Sequence, residues 1–310
     1  MFNFDENSVV CFLGDSITNR SHWMRRVYDY YRNKKGIKCE MYNCGIGGDT
    51  AWGGHRRLED TVYTYNPTDV VICFGMNDVG TYLYTSDEVD DNCVLERRRR
   101  IDNCVTYLYW IAASCERHNV RVTLCTPTMY DELSENNTPV CEGVNAALKE
   151  IAKRAKELAR RRGYGFVDFH TPFCESGKEL FKIGKTLINE DRVHPDIEGN
   201  ELMAQIFLKS QGFDVEVTGD FDKLKEASKK PFSEWEEKRY ELQLKAKCAD
   251  MAEWVLFDEA RGEDALVKAC KKFIEESKDE KCIASCKAYL TERQNIPEYR
   301  KALIEYTKQK

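Results

Sequence analysis

Val9-Val10-Cys11-Phe12-Leu13-Gly14-Asp15-Ser16 is the stretch on which the fold turns. Val9 to Leu13 is an unbroken apolar run with two adjacent β-branched residues, the pattern of a central strand covered on both faces. Gly14 permits a tight turn, and two polar residues follow at once. A serine at the end of a parallel strand stands where α/β proteins place their ligands, so Ser16 is a candidate nucleophile. The plainer alternative has Asp15 or Ser16 capping the next helix.

Outward from this stretch, strands alternate with helices. Trp23, Met24, Val27, Tyr30 and Tyr31 give residues 20–35 a helical period, which Gly36 ends. A second strand is expected over 37–43, running into a glycine-dense loop at 44–50. A short helix at 54–63 precedes a third strand over 69–74, which stops at Gly75-Met76-Asn77-Asp78. A long helix over 86–118 has an apolar stripe through Cys104, Leu108, Ile111 and Cys115. Then come a strand at 120–125, a loop at 128–141, a helix at 141–162 and a strand at 166–169. A loop at 171–192 and a helix at 196–210 complete the pattern. Five short strands alternating with helices imply right-handed βαβ units. The expected fold is a three-layer α/β/α flavodoxin-like sandwich with a five-stranded parallel sheet in the order 2-1-3-4-5.

Beyond residue 212 the character changes. Residues 211–310 hold 20 Lys/Arg and 22 Asp/Glu, a denser charge than the 32% of the whole chain. The expected organisation is an α/β domain over 1–212 and a C-terminal α-helical extension over 213–310. Ser233 is a candidate helix cap, before a stripe of Tyr240, Leu244, Cys248, Met251 and Val255. Further helices fit 263–277, 280–291 and 298–308. Their apolar faces need burial, on each other, on the α/β domain or in a homo-oligomer.

Composition narrows the function. A net charge of −6 argues against nucleic acid as partner. The Arg97–Arg100 run lies inside a helical pattern and reads as a solvated face. No apolar stretch approaches a membrane span, and the N-terminus lacks the basic and apolar regions of a signal peptide. The 14 cysteines are scattered, so reduced thiols and a cytoplasmic location are expected. Cys282 and Cys286 are one helical turn apart but have no His partner, and no metal site is expected.

Three loops matter together: Gly14-Asp15-Ser16, Gly45 to Thr50, and Gly75 to Asp78. Each follows one of the first three strands, and in the order 2-1-3 they meet at one sheet edge with the serine central. This arrangement suits acyl transfer. A serine hydroxyl needs an adjacent base, which His194 can supply. Asp191, three residues earlier, can bond the other ring nitrogen and fix the tautomer. The Ser16 and Gly48 backbone N–H groups and the Asn77 side-chain amide are candidate oxyanion donors. Asp15, Trp52 and His170 are candidate substrate contacts.

The sequence resembles the SGNH/GDSL hydrolases. The resemblance rests on Gly14-Asp15-Ser16-Ile17-Thr18, on Asn43-Cys44-Gly45-Ile46-Gly47-Gly48-Asp49-Thr50, on Gly75-Met76-Asn77-Asp78, and on Asp191-Arg192-Val193-His194-Pro195. These look like four ordered blocks of that family and cover about residues 8–210. The resemblance implies a serine esterase with Ser16 as nucleophile, His194 as base, Asp191 orienting it, and Gly48 and Asn77 completing the oxyanion hole. Gly48 is preferred to Gly47 because it directly precedes the Asp-Thr pair. No metal or organic cofactor is implied, and the Gly-x-Ser-x-Gly elbow of α/β-hydrolases is absent.

The expected substrate is a small-molecule ester, with a short acyl group such as acetyl on a carbohydrate. A lysophospholipase- or thioesterase-like hydrolase and an acyltransferase are the enzymatic alternatives. A non-catalytic protein that binds a partner through its helical tail is the alternative of a different class.

Overall fold

A computed structural model describes residues 3–19, 22–85, 89–246, 263–292 and 295–309. Strands β1 (Val9–Gly14), β2 (Glu40–Gly45), β3 (Asp69–Cys73), β4 (Arg121–Cys125) and β5 (Gly165–Val167) form one parallel sheet in the order β2-β1-β3-β4-β5. The fold is α/β, with the strand order expected. The register sets Gly14 opposite Gly45 on one side and Cys73 on the other, so the first three strands end level.

The period of two in β1 builds two buried layers. Phe12 faces Trp23 of α2 (His22–Asp29) and Phe207 of α7 (Ile197–Ser210), with ring centroids 5.4 and 5.8 Å away. Cys11 points the other way, its thiol 3.7 Å from the Val62 carbonyl. On that second face lie α3 (Ala51–Arg56), α4 (Asp91–Arg117) and α5 (Val144–Arg162), with α4 in contact with both of the others. A one-turn helix α1 (Ser16–Asn19) precedes α2, and a π-helical turn, Tyr30–Lys34, extends α2.

Several boundaries differ from expectation. β2 begins three residues later, at Glu40, and α3 begins three earlier, at Ala51, where Thr50 supplies the N-cap. The stretch expected as a loop over 171–192 opens instead as helix α6 (His170–Phe181). Its buried face is Phe173, Gly177 and Leu180, an i, i+4, i+7 pattern obscured by polar neighbours and by glycine. Gly177 is there because a Cβ would meet the Met129 sulfur at 2.7 Å. Pro172 sits in the first turn, where no intrahelical N–H is needed.

Among the described residues the extension comprises α8 (Phe221–Ser228), for which the sequence reading has no helix, α9 (Glu234–Ala246), α10 (Glu263–Glu276), α11 (Glu280–Glu292) and α12 (Ile296–Lys308). Ser233 does cap α9, accepting from Glu236 N at 3.2 Å. The buried face of α9 is not the expected apolar stripe. Glu236, Arg239, Gln243 and Ala246 are buried, whereas Leu244 is 52% exposed. Cys248, Met251 and Val255 lie outside the described residues.

That buried polar face meets the edge of β2. Asn43 N donates to Gln243 Oε1 (3.0 Å), and Gln243 Nε2 donates to Asn43 O (3.3 Å). One side-chain amide thus takes the place of a neighbouring strand. Arg239 donates to Met41 O (3.3 Å) and forks onto Glu236 at 2.6 and 2.9 Å. Glu236 also receives Arg25 Nε of α2 at 3.1 Å. α12 packs on α9 and β2, with Tyr306 stacked on Trp235 at 5.5 Å. The tail helices pack on each other, α12 on α9 and α11 on α10, and α9 and α12 also pack on the α/β domain. The described cysteines form no disulfide, and no described helix is long and apolar enough to cross a membrane.

Candidate active site

Three strand ends and one late turn converge at the C-terminal rim of the sheet. Gly14 is required there by space: a Cβ would lie 2.2 Å from Thr18 Oγ1 and 2.7 Å from the Cys73 carbonyl. Asp15 follows, 2% exposed, and its carboxylate accepts from Ile17 N at 2.9 Å. Asp15 therefore caps α1, and the Ser16 hydroxyl is not consumed by capping. Ser16, the first residue of α1, sends Oγ toward His194.

His194 comes from a turn after α6. Its Nε2 lies 2.7 Å from Ser16 Oγ and its Nδ1 2.7 Å from Asp191 Oδ2. The hydroxyl donates to Nε2 when Nδ1–H donates to the carboxylate, the tautomer that the Asp191 bond favours. Asp191 Oδ1 also accepts from Val193 N (3.0 Å) and His194 N (2.9 Å), so the carboxylate shapes the turn as well as the ring. Burial works against its ionisation, but these N–H donors and the ring hold its pKa below the ordinary carboxylate value. An isolated bridge from Ile188 to Pro195 closes the turn.

The loop after β2 presents Gly48 as an exposed residue at φ +75°, a left-handed conformation that favours glycine. Asn77, after β3, donates Nδ2 to the Asp49 carbonyl at 2.8 Å. An amide nitrogen carries two hydrogens, so this bond aims the side chain and leaves a second donor for a ligand. Trp52, half-buried in the first turn of α3, lies under the Arg56 guanidinium at 4.5 Å.

Two expected substrate contacts are placed away from a ligand's reach. Asp15 is buried beneath the serine. His170 is 5% exposed on α6, with its ring against Thr128 O (3.4 Å) and the Cys174 thiol (3.6 Å to Nε2). Burial also lowers the His170 pKa. Its position after β5 is near the same rim, but the ring turns into the core.

The layer below the rim was missed in the sequence. Arg57 donates to Asp49 Oδ2 (2.7 Å), Cys44 O (2.6 Å) and Gly14 O (3.1 Å), tying the ends of β1 and β2 to the glycine loop. Asp78 Oδ1 accepts from Ala51 N at 3.0 Å, joining the β3 loop to α3. Asp15, Asp49 and Asp78 form a buried acidic group. Burial, with the mutual charge repulsion of the carboxylates, raises Asp15 and Asp78 to about 7. Asp49 is raised by burial too, but Arg57 opposes the shift. The only signal for Arg57 was a basic pair, Arg56-Arg57, which looks like an ordinary solvated face.

No group of acidic, histidine or cysteine side chains able to hold a metal occurs among the described residues. What the rim can do chemically is lend a basic, oriented imidazole to a serine hydroxyl beside amide donors. A sequence profile of the GDSL-like lipase/acylhydrolase family matches residues 12–202. The chain belongs to this family. Within the GDSL-like hydrolases it is similar to an acetylxylan esterase of Geobacillus stearothermophilus, 26% identical over 174 residues, 56% of this chain and 73% of that protein. The solved structure of an acetylxylan esterase from the same organism superimposes at TM-score 0.56 and 22% identity, covering 70% of this chain and all of the other. A gut microbial diltiazem-metabolizing enzyme superimposes at TM-score 0.74 and 20% identity over 99% of this chain and 97% of its own. That fold likeness extends through the helical tail. The GDSL-like chain is an ester hydrolase.

Proposed function

We propose that the chain hydrolyses carboxylic esters through an acyl-enzyme on Ser16, and that its substrates carry short acyl groups, acetyl foremost, on a carbohydrate or similar small alcohol. The observation that carries this reading is the continuous line of two 2.7 Å contacts from Ser16 Oγ through His194 to Asp191. Ser16 Oγ attacks the ester carbonyl while His194 Nε2 takes its proton. Asp191 stabilises the imidazolium and keeps Nδ1 as donor. The developing oxyanion is received by the N–H groups of Ser16 and Gly48 and the free Nδ2 hydrogen of Asn77. Collapse expels the alcohol, protonated by His194. Water then attacks the acyl-enzyme by the same route, regenerating Ser16. The acetyl and carbohydrate preference draws on the acetylxylan esterase relative.

A panel of 4-nitrophenyl esters from acetate to octanoate, beside acetylated xylo-oligosaccharides, tests the proposal in wild type and Ser16→Ala. The expected outcome is highest kcat/KM on the acetyl substrates and loss of at least about 10³-fold in the variant. Equal, slow hydrolysis by both proteins would sink the nucleophile assignment. A rising preference toward octanoate would overturn the short-acyl assignment alone.

A further inference from the structure

Arg192 stands between Asp191 and His194, is 2% exposed, and belongs to no step of the proposed chemistry. Its partners are backbone carbonyls rather than a carboxylate. Nε donates to Thr138 O at 2.7 Å, and Nη1 to Asp131 O and Ser134 O, both at 2.9 Å. Burying a guanidinium is costly unless its donors are met. All three acceptors lie on one segment, residues 131–138.

The main chain repeats the connection. Asp131 N donates to Arg192 O at 2.8 Å, and Arg192 N donates to Asn189 O at 2.9 Å. Arg192 itself sits at φ +65°, a left-handed conformation that residues other than glycine seldom adopt. The 131–138 segment is organised in its own right. The Asp131 carboxylate accepts from Leu133 N and Ser134 N (3.0 Å each), from Ser134 Oγ (2.6 Å) and from Thr186 Oγ1 (2.7 Å). These bonds, with burial acting against them, hold its pKa below the ordinary value. A preformed platform thus receives the guanidinium, and the left-handed twist at Arg192 turns Asp191 and Val193-His194 outward on either side of it.

We infer that Arg192 is a positioning residue for the proposed esterase reaction: by clamping the Asp191–His194 turn onto the 131–138 platform, it fixes the Asp191 carboxylate against the His194 ring. It rests on the esterase reading for its kinetic consequence, but the geometry it controls exists without substrate. A mere staple would affect stability and leave the aspartate–histidine bond intact in the folded protein.

Arg192→Gly removes the clamp and relieves the backbone, while Arg192→Lys keeps the charge and loses the fork. Each is measured for kcat and KM on 4-nitrophenyl acetate, for melting temperature, and for the downfield proton resonance of His194 Nδ1–H, assigned by its loss in Asp191→Asn. Displacement of the acid by a fraction of an ångström predicts a fall in kcat of about 10–100-fold. KM should stay within about twofold, because the clamp acts on the acid–base pair and not on substrate binding. The resonance should broaden or vanish at temperatures where the variant is folded. Guanidinium at tens of millimolar should restore part of the lost kcat in Arg192→Gly and none in Ser16→Ala. A lowered melting temperature with kcat and resonance unchanged overturns the inference. Should Arg192→Gly fail to fold, Arg192→Lys is judged by the same criteria. If wild type hydrolyses no ester, the esterase reading fails, and the resonance in the Arg192 variants alone decides the positioning role.

Discussion

At the C-terminal rim, polar residues begin where apolar strands stop; along the β2 flank, a charged helix turns its polar face inward. The rim obeys the usual division, with Cys11, Phe12, Leu13, Val70, Val71 and Ile72 buried and Ser16, Asn77 and His194 just above them. On the flank, α9 buries Glu236, Arg239 and Gln243 while Leu244 faces outward. The difference follows from what each region must satisfy. Strand interiors have their backbone groups paired in the sheet, so their side chains need only pack. An edge strand has backbone groups to satisfy, and a polar side chain meets that need better than an apolar one.

The comparison predicts that rim changes act on chemistry and flank changes on stability. The largest effect is expected for His194→Ala, a loss of at least about 10³-fold in kcat on 4-nitrophenyl acetate with the melting temperature nearly unchanged. Asn77→Ala should cost about 10²–10³-fold by the same assay. On the flank, Arg239→Met leaves Glu236 with Arg25 as its remaining buried partner and should cost about 3 kcal/mol in urea unfolding. Gln243→Leu strands one N–H and one C=O of Asn43, for about 2 kcal/mol. Both flank variants should keep kcat/KM within about twofold. A large kcat change in either one would break the separation, because the extension would then reach the reacting groups.

The smallest expected effect lies under the rim. Asp15 and Asp78 bind protons more tightly folded than unfolded, with pKa values near 7 against the ordinary 3.8. The stability they contribute is complete below about pH 4 and is lost as pH rises toward 7. Asp78→Asn removes one titration and can still accept from Ala51 N. The melting-temperature difference, variant minus wild type, should therefore increase between pH 4 and 7, by scanning calorimetry. A difference that does not change with pH would assign Asp78 no such role.

Legibility in the sequence follows the same division. Val9 to Leu13 and Val70 to Phe74 announce buried strands because their neighbours in the sheet add nothing polar. Ser16, Asp191 and His194 were recognisable because the roles proposed for them demand particular residue types, one at the end of β1 and two in a short motif after α6. Helix α6 escaped notice because Gly177 occupies a core position, where contact with Met129 replaces apolar patterning. Arg192 escaped because its acceptors are backbone carbonyls, which carry no residue signature. Arg57 escaped because two of its acceptors are carbonyls and its carboxylate partner, Asp49, sits in the glycine loop with no sequence mark of the pairing. His170 and Asp15 were misplaced for a related reason: a polar residue near the rim can turn inward when a backbone group below receives it, as Thr128 O and Ile17 N do.

The clasp of Gln243 on Asn43 also bears on how the molecule behaves among its own copies. A bare edge strand is a template on which another chain can lengthen a sheet, the first step of many aggregates. Here the amide and the Arg239 guanidinium hold the Met41 and Asn43 groups that such a chain would need. At the opposite end β5 spans only Gly165–Val167, too short a run for a foreign strand to dock firmly. The tail thereby acts as a terminator of sheet growth, and its loss would be felt first in solubility.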